Sequence, residues 1–497
     1  MHSKWLGGIA PLSLLAALLA AAPAQADTLR DALSQAYVTN PNLLAARAHQ
    51  RQVDENVPLA RSEGMPSISA TGAYTENVKQ SAASFASPAR QFTAGVNGEL
   101  PIFQGGAVRN AVQAAKVRVE AGRADLRTAE SNVFTDVVAA YMDVIRDQAI
   151  VELNAGQVGV LDTNLRASKD RFEVGDLTRT DVAQSEARLS LSRSQLEAAQ
   201  ARLVASREAY LAAVGKTPDD LQAPPPLPGL PASVDTALAI AMENNPQLLS
   251  ARKQGDAARY DVGTARASRL PRLSAVAGGN YFNYLDSLAP IPGIPIADRG
   301  TAASVGIQAS LPLYQGGRPG ARVRQAEARA GETLEMEIAA ERSVISELRS
   351  AYASYSASQA VIRSSEAGVS SNELALEGVR AENSVGTRDV LDVLNAEQEL
   401  LNARVQLVTA RRDAYVAGFA LLAAMGRAEA ANLGLDGGPL YDPTVNYKRV
   451  KNAIFDWGDD GIPTAKATST ATVPPLPSVT LQPLVPATTD VVTSPKN

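Results

Sequence analysis

The residues of this chain that could do chemistry are charged and polar side chains spaced along helices. In "VGTRDVLDVLNAEQEL" (385–400), Arg388, Asp392 and Asn395 are four and three residues apart, so they share one side of a helix. A carboxylate and a guanidinium placed in this way can attract ions or pair with charges on a neighbouring helix. The alternative is an ordinary polar side that faces water.

Residues suited to covalent chemistry are scarce. The chain contains no Cys, which excludes a disulfide framework, a Cys metal site and an acylated N-terminal Cys, and its two His are His2 and His49. We find no phosphate-binding Gly loop and no metal-ligand pattern. We therefore predict no enzyme, no catalytic residue, no metal and no cofactor, although a Ser–Lys site stays open. The net charge of -5 is too balanced for a nucleic-acid partner.

The first 26 residues predict a signal peptide. Lys4 precedes the apolar run "PLSLLAALLAAAPA", and "AQA" (24–26) fits a small-residue cleavage site. An uncleaved membrane anchor is the alternative, but the run is short for a span. No later stretch holds the roughly 18–20 apolar residues of a transmembrane helix. If the exported chain crosses a membrane, we expect it to do so with strands.

The chain repeats one plan twice, at 27–216 and 234–427, around the Pro-rich linker 217–233. "LPIFQGG" (100–106) recurs 211 residues later as "LPLYQGG" (311–317). The same offset relates Gly175 to Gly386, Asp181 to Asp392 and Tyr141 to Tyr352, whereas "NPNLLAAR" recurs after 205 residues. The second copy therefore carries a six-residue insertion, which we place in a surface loop near 288–300.

Each copy predicts the same series of elements. A helix capped by Thr28 or Ser233 is interrupted at an Asn-Pro pair and then resumes. Two alternating segments follow, then a helix about 100 Å long (107–170 in the first copy), a turn and a return helix that ends near 214 or 425. The alternating segments predict strands at 67–75, 92–100, 273–284 and 303–311. Strands of this length can cross a bilayer when they are tilted. The alternative is that they are half-buried strands of a soluble sheet.

Together these elements predict a mixed α and β membrane protein with four transmembrane strands per chain and a long coiled-coil part. Four strands cannot close a barrel, so several chains must contribute, and the residues alone do not choose how many. The competing class is a periplasmic coiled-coil adaptor or structural protein without a barrel. For residues 428–458 we expect a C-terminal equatorial segment, which is a short piece packed on the outside of the helical part. The composition of 459–497 predicts a disordered tail.

The duplication, the two "QGG" junctions, the Asn-Pro interruptions and segment 385–400 resemble the TolC family of outer-membrane channels. The resemblance implies a homotrimer whose twelve strands form a barrel in the outer-membrane lipid of a Gram-negative bacterium, continuous with a periplasmic helical barrel. It implies a passive exit duct that docks with a periplasmic adaptor and an inner-membrane ABC or proton-driven transporter. Members that serve many drug pumps carry a lipid-modified Cys. Its absence favours type I protein secretion or a multipurpose duct that also serves multidrug efflux.

The resemblance also implies an entrance gated at the periplasmic helix tips. An acidic ring matches Asp392, and a second ring position is Asn395 in this chain. A latch between helix pairs matches Arg388 and Asp181, with Asn383 where the family has a Tyr. The alternative for each charge is an ordinary solvated side chain.

Glycines and prolines mark the remaining predicted positions. We expect Gly175 and Gly386 in the entrance turns. The strand-to-helix junctions are predicted at Pro101, Gly105, Gly106, Pro312, Gly316 and Gly317.

Overall fold

A computed structural model describes residues 27–79, 87–288, 295–435 and 440–474. The predicted signal peptide, residues 289–294 of the predicted loop 288–300, and the end of the tail (475–497) lie outside these residues. The elements are α1 (Leu29–Thr39), α2 (Pro41–Asp54), α3 (Asn56–Ser62), β1 (Ser67–Glu76), β2 (Arg90–Phe103), α4 (Ala107–Glu173), α5 (Arg179–Val214), α6 (Val234–Asn244), α7 (Pro246–Ala267), β3 (Arg272–Asn283), β4 (Arg299–Ser310), α8 (Arg318–Ser384), α9 (Val390–Ala424) and α10 (Thr444–Val450).

The four strands form one antiparallel sheet in the order β1-β2-β3-β4. β1–β2 and β3–β4 are hairpins within each copy, and β2 pairs with β3 across the copies. All four predicted strands are confirmed, with shifts of a few residues at their ends. β2 runs beyond its predicted end to Phe103, because a register shift between Pro101 and Phe103 accommodates the proline.

Two helices of 67 residues each, α4 and α8, start at the sheet and run about 100 Å away from it. Their predicted lengths and those of the return helices α5 and α9 are confirmed. In the half of the molecule far from the sheet, α5 packs on α4, α4 on α9, and α9 on α8. Nearer the sheet, α7 packs between α4 and α8. The helices therefore lie side by side in one layer, and α5 and α8 form its two edges.

The predicted Asn-Pro interruptions are joints between helix ends. The side-chain oxygen of Asn40 accepts hydrogen bonds from the N–H groups of Asn42 (2.9 Å) and Leu43 (3.3 Å) and so caps α2. Its amide Nδ2 donates to the carbonyl of Ala213, near the end of α5, at 2.9 Å. Pro41 takes the first helical position, where no N–H is needed. One asparagine therefore links the end of α5 to the start of α2.

The main apolar core lies at mid-height, where α1, α2 and α6 meet the long helices. Tyr141 is fully buried there and donates its hydroxyl to the carbonyls of Asp27 (3.0 Å) and Gln222 (2.6 Å). Its repeat partner Tyr352 donates to the carbonyl of Ala232 at 3.0 Å. Because Gln222 and Ala232 belong to the linker 217–233, the two tyrosines hold the linker against the core.

A group of charges lies close to this core. Glu130 Oε1 accepts a hydrogen bond from the N–H of Ala430 at 2.6 Å, and Glu429 pairs with Arg127 at 2.7 Å. Burial raises the pKa of the Glu130 carboxyl, and the neighbouring Glu429 carboxylate adds to the rise, while the Ala430 hydrogen bond opposes it. Burial also raises the pKa of Glu429, against the attraction of Arg127. Ionising either carboxyl therefore costs folding free energy.

The C-terminal residues pack on the outside of the first copy. In 440–458, α10 contacts α2, and Asn446 Nδ2 donates to Asp54 Oδ2 at 3.0 Å. The tail starts with an ordered contact, because Arg449 binds both carboxylate oxygens of Asp460 at 2.7 Å. From there to residue 474 the described chain is mostly exposed and forms neither helix nor strand.

Candidate functional site

The candidate site is the pair of helix turns at the end far from the sheet. Gly175 and Gly386 adopt φ values of 83° and 81°, which side chains with a Cβ rarely adopt. In both turns the next residue donates back to a carbonyl five positions earlier: Asp176 to Arg171 (2.8 Å) and Thr387 to Glu382 (3.0 Å). The two copies therefore reverse direction by the same motif.

The turns differ in how the return helices begin. Thr178 caps α5, and Asp181 Oδ2 accepts from the Thr178 N–H (2.8 Å) and hydroxyl (2.7 Å). These bonds stabilise the carboxylate and lower the pKa of Asp181. The cap of α9 is Asp389, which makes no side-chain cap bond. Asp392, the counterpart of Asp181, is therefore not engaged in a capping box.

Arg388 is held by its own turn. Its Nε donates to Glu382 Oε2 at 2.8 Å, and its Nη1 lies 3.6 Å from Asp392 Oδ2. The Glu382 carboxylate is the main cause that raises the pKa of Arg388, and Asp392 adds to it. Asn383 donates to the carbonyl of Arg388 at 2.8 Å. Within one chain the bonds of Arg388 thus go to Glu382 and Asp392, while those of Asp181 stay within its own cap.

Asn395, at the predicted second ring position, contacts the first copy. Its Oδ1 accepts a hydrogen bond of 2.7 Å from Arg188 Nη2 on α5. Asp392, by contrast, is half-exposed and forms an ion pair with Arg388. The two predicted ring positions therefore have different contacts. Asn395 joins α9 to α5, whereas the Asp392 carboxylate is half-exposed to solvent.

Sequence reasoning missed Glu397, which is 3% exposed. Its two carboxylate oxygens each accept from Asn164 Nδ2 on α4 at 3.1 Å, and Oε1 also accepts from Arg380 Nη2 on α8 at 2.9 Å. An apolar cluster of Leu161 and Leu165 on α4, Leu189 on α5 and Leu394 on α9 lies beside it. The spacing of Glu397 from Leu394 and Leu401 was the available signal, since it places a carboxylate on the apolar side of α9.

The strand-to-helix junctions use paired glycines with positive φ: Gly105 (62°), Gly106 (83°), Gly316 (59°) and Gly317 (80°). A Cβ on Gly105 would lie 2.7 Å from the Cβ of Leu270, so this position is also sterically closed. Pro101 lies within β2, whereas Pro312 follows the end of β4. The two junctions thus share their glycines but differ in strand length.

The described residues give little basis for chemistry or metal binding. His49 is exposed on α2. In the ranges that the structure covers, no group of His, Asp and Glu is placed to hold a metal ion. None of the helices in those ranges combines the length and apolarity that a membrane-crossing helix needs.

Comparison with known proteins agrees with this architecture. The chain is 35% identical to the outer membrane efflux protein BepC of Brucella suis over 90% of its own length and 95% of that protein. It is 29% identical to the outer membrane protein TolC of Vibrio cholerae, over 81% and 91% of the two chains. The crystal structure of the outer membrane protein VceC from Vibrio cholerae superposes with a TM-score of 0.67 at 25% identity, over 80% of this chain and 96% of that one.

The family match covers both copies of the internal repeat. The family described as outer membrane efflux protein matches residues 32–216 and 237–427. These ranges contain both hairpins, both long helices and the helix turns at Gly175 and Gly386. This chain therefore belongs to the outer membrane efflux protein family.

Proposed function

We propose that this chain is the outer-membrane exit duct of an export system and assembles as a homotrimer. The observation that carries the proposal is a sheet with two unpaired edges. β1 and β4 each have one neighbour, and on β4 Val305 and Ile307 are 88% and 72% exposed. Long apolar edge strands associate unless they are covered. Further copies of the same sheet, closed into a barrel in lipid, remove both edges and cover this face.

The helices support the same assembly. α8 is as long as α4, but its buried residues are few: Val323, Val344, Leu348, Ser365 and Leu376. Apolar side chains such as Met336 and Leu374 stay exposed along it. A head-to-tail ring, in which α8 and β4 of one copy meet α5 and β1 of the next, covers both free sides. Three chains of four strands give a barrel of twelve strands, above the roughly eight needed for closure.

The duct needs partners to move material. We propose that the helical part projects into the periplasm of a Gram-negative bacterium and meets a periplasmic adaptor and an inner-membrane ABC or proton-driven transporter. The duct is passive and performs no covalent chemistry. BepC is named an efflux protein, which supports multidrug efflux. Type I protein secretion, or a multipurpose duct that serves both routes, is the other role that we propose for the same channel.

We further propose that the helix tips form a gated entrance. In a closed ring, three Asp392 carboxylates would surround a narrow bore and favour cations. The free side of the α8–α9 turn would face α5 of the next copy, so Arg388 could exchange Glu382 for Asp181 of that copy. Such a pair would act as a latch between subunits. The half-exposed Arg388 and Asp392 side chains support this role, because each is reachable from outside its own chain.

Envelope fractionation with matched β4 variants tests the assembly. Val305 and Ser304 are adjacent, so their side chains lie on opposite faces of β4. If the Val305 face meets lipid, Val305→Lys should cost about 2–4 kcal/mol of insertion free energy and reduce the outer-membrane fraction. Ser304→Lys, on the opposite face, should leave a cross-linked trimer in the outer membrane. Recovery of the unaltered chain as a soluble periplasmic protein would favour the adaptor alternative.

A further inference from the structure

Two arginine side chains from different elements converge at the junction between the sheet and the helices. Arg269 shortly precedes β3, and Arg324 lies in the second turn of α8. A Cβ on Gly320 would lie 3.4 Å from Arg324 Nη1 and 3.8 Å from Arg269 Nη2. The two guanidinium groups therefore approach within about 7 Å of each other.

Within the part of the chain that the structure describes, no carboxylate pairs with either of these arginines. Both side chains are exposed, and they repel each other because they carry the same charge. One turn farther from the sheet, the same two segments are joined by the ion pair of Arg266 with Glu327 at 2.9 Å. An acid on α8 thus closes the next contact, whereas the contact of Arg269 with Arg324 is left open to an anion from outside the chain.

The internal repeat shows that the fold does not require these two arginines. The counterpart of Arg269 is Gly64, at the offset of 205 residues, and the counterpart of Arg324 is Gln113, at the offset of 211. The first copy builds the same kind of junction without these two guanidinium groups and carries Arg109 there instead. The pair is therefore not needed to form the junction.

Arg324 lies on the same side of the helices as the C-terminal segment. Arg127 on α4 pairs with Glu429 of that segment at 2.7 Å, and Ile338 is the repeat counterpart of Arg127 on α8. Arg324 precedes Ile338 by fourteen residues, which is about four helical turns, so both residues lie on one side of α8. In a duct this is the outer side, because the tail that follows the segment would otherwise fill the bore.

The pair lies just beyond the apolar face of β3 and β4. Ala309 shares the face of Val305, and its partner across the strands is Leu273. Toward the helices the exposed Leu270 comes next, and Arg269 follows it. The headgroup layer of a bilayer is roughly 5–8 Å deep on each side of the hydrocarbon. With this face in lipid, as proposed above, Arg269 lies at the level of the headgroups.

We propose that Arg269 and Arg324 bind the phosphate of an anionic phospholipid in the periplasmic leaflet of the outer membrane. The proposal rests on the channel function proposed above, because that function places the sheet in lipid. A guanidinium fork matches two phosphate oxygens, and two forks can bind one phosphate from both sides. A headgroup without an amine leaves the phosphate charge to the arginines, whereas the amine of a zwitterionic headgroup neutralises part of it. The bound lipid links the end of α7 to the start of α8.

Lipid binding by the purified, delipidated trimer tests the site. Native mass spectrometry with phosphatidylglycerol and with phosphatidylcholine should show that the unaltered trimer prefers the anionic lipid. The double variant Arg269→Gln with Arg324→Gln should bind phosphatidylglycerol at least about tenfold more weakly and lose this preference. The matched control is Arg342→Gln with Arg349→Gln. It removes the same charge from exposed arginines about 36 Å or more beyond the start of α8, and should keep the preference.

Gly320→Asp tests the site with both arginines in place. It supplies a carboxylate beside the two guanidinium groups, in the first turn of α8, where an acid is favourable. The variant should therefore bind phosphatidylglycerol as weakly as the double variant, in a trimer at least as stable as the original. Gly331→Asp adds the same charge at an exposed position with nothing within 4 Å, so it is the control and should keep the lipid preference.

The outcomes separate this inference from the function on which it rests. Equal phosphatidylglycerol binding by the Arg269 and Arg324 double variant and its control overturns the site. Displacement of the lipid by inorganic phosphate at the same concentration also overturns it, since that would identify a site for a free anion. A double variant whose trimer dissociates more readily at unchanged lipid affinity would assign the arginines to the subunit contact instead.

The behaviour of the unaltered chain decides the rest. If it forms no membrane-embedded trimer, the proposed function is overturned and the lipid site falls with it. If it forms a conducting trimer that binds both lipids equally, the lipid site alone is overturned and the channel function stands.

Discussion

Asn40 and Asn245 make the same hydrogen bonds in the two copies of the chain. The Asn245 side-chain oxygen accepts from the N–H groups of Gln247 (3.0 Å) and Leu248 (3.2 Å), and its amide donates to the carbonyl of Ala424 at 2.9 Å. Asn40 repeats the pattern, with the carbonyl of Ala213 as its acceptor at 2.9 Å. Because the amide group has a donor and an acceptor end, one side chain serves both helix termini.

The joint predicts a specific order of stabilities at position 245. Asn245→Ser keeps a cap oxygen and loses the donor that reaches Ala424, so we expect a loss of about 1 kcal/mol in the free energy of unfolding. Asn245→Asp should lose more, because it also places a negative charge at the carbonyl end of α9. Urea unfolding of the detergent-solubilised protein measures both losses. An Asp variant as stable as the original would show that the bond to Ala424 contributes nothing.

The partly buried Glu130 predicts one component of how stability depends on pH. Its pKa is raised in the folded chain, so folding favours the protonated carboxyl. The contribution of Glu130 to the free energy of unfolding is therefore fully present below the ordinary carboxyl pKa of about 4.3 and is lost as the pH rises from there through the raised pKa. Glu130→Gln keeps an oxygen for the Ala430 N–H and removes the titration.

We expect Glu130→Gln to flatten this pH slope and to stabilise the protein at pH 7, where the raised pKa makes the ionised glutamate unfavourable. Unfolding midpoints measured from pH 4 to pH 8 check both statements. Glu399→Gln, at an exposed acid of α9, is the control and should leave the slope unchanged. A Glu130→Gln slope equal to that of the control would contradict the raised pKa.

The proposed ring of Asp392 carboxylates predicts ion selectivity. Asp392→Asn removes one carboxylate per chain and leaves Arg388 with Glu382 as its acid, so the cation preference of the pore should fall. The change should be largest in dilute salt, because the screening length is about 30 Å at 0.01 M and about 3 Å at 1 M. Reversal potentials in a potassium chloride gradient measure it. Glu186→Gln, at an exposed acid of α5, is the control and should leave the reversal potential unchanged. Equal effects of the two variants would contradict the proposed ring.

The subunit latch predicts a different response from Arg388. Arg388→Ser should raise the open fraction by no more than about fivefold, since an ion pair between exposed side chains stabilises little. Arg171→Ser is the matched control, because Arg171 pairs with Asp176 in the equivalent turn of the first copy. Single-channel recordings of both trimers decide between them. Normal assembly with unaltered conductance in Arg388→Ser would argue against a latch.

The elements of the fold could be predicted because local patterns determine them. The alternation along the strands, the heptad spacing of α4 and the glycines before each helix depend on near neighbours in the sequence. The end of β2 was missed, since a proline normally ends a paired strand and here a register shift accommodates Pro101.

The partners at the helix tips could not be predicted from spacing. Glu382 and Arg388 are six residues apart, which places them together only because the chain reverses at Gly386. Glu397 was missed for another reason. A glutamate on a helix is usually solvated, and its repeat counterpart Glu186 is exposed on α5. The spacing of Glu397 from Leu394 and Leu401 places it on the apolar side of α9, but its partners Asn164 and Arg380 come from α4 and α8 and could not be read from that spacing.

The central claim is that copies of this chain close into a pore. Recording from the purified, cross-linked trimer in a planar lipid bilayer tests it most directly. The account predicts uniform single-channel steps that prefer cations and that open more often in Arg388→Ser. A protein that stays soluble and monomeric, or that inserts without producing channels, would contradict it.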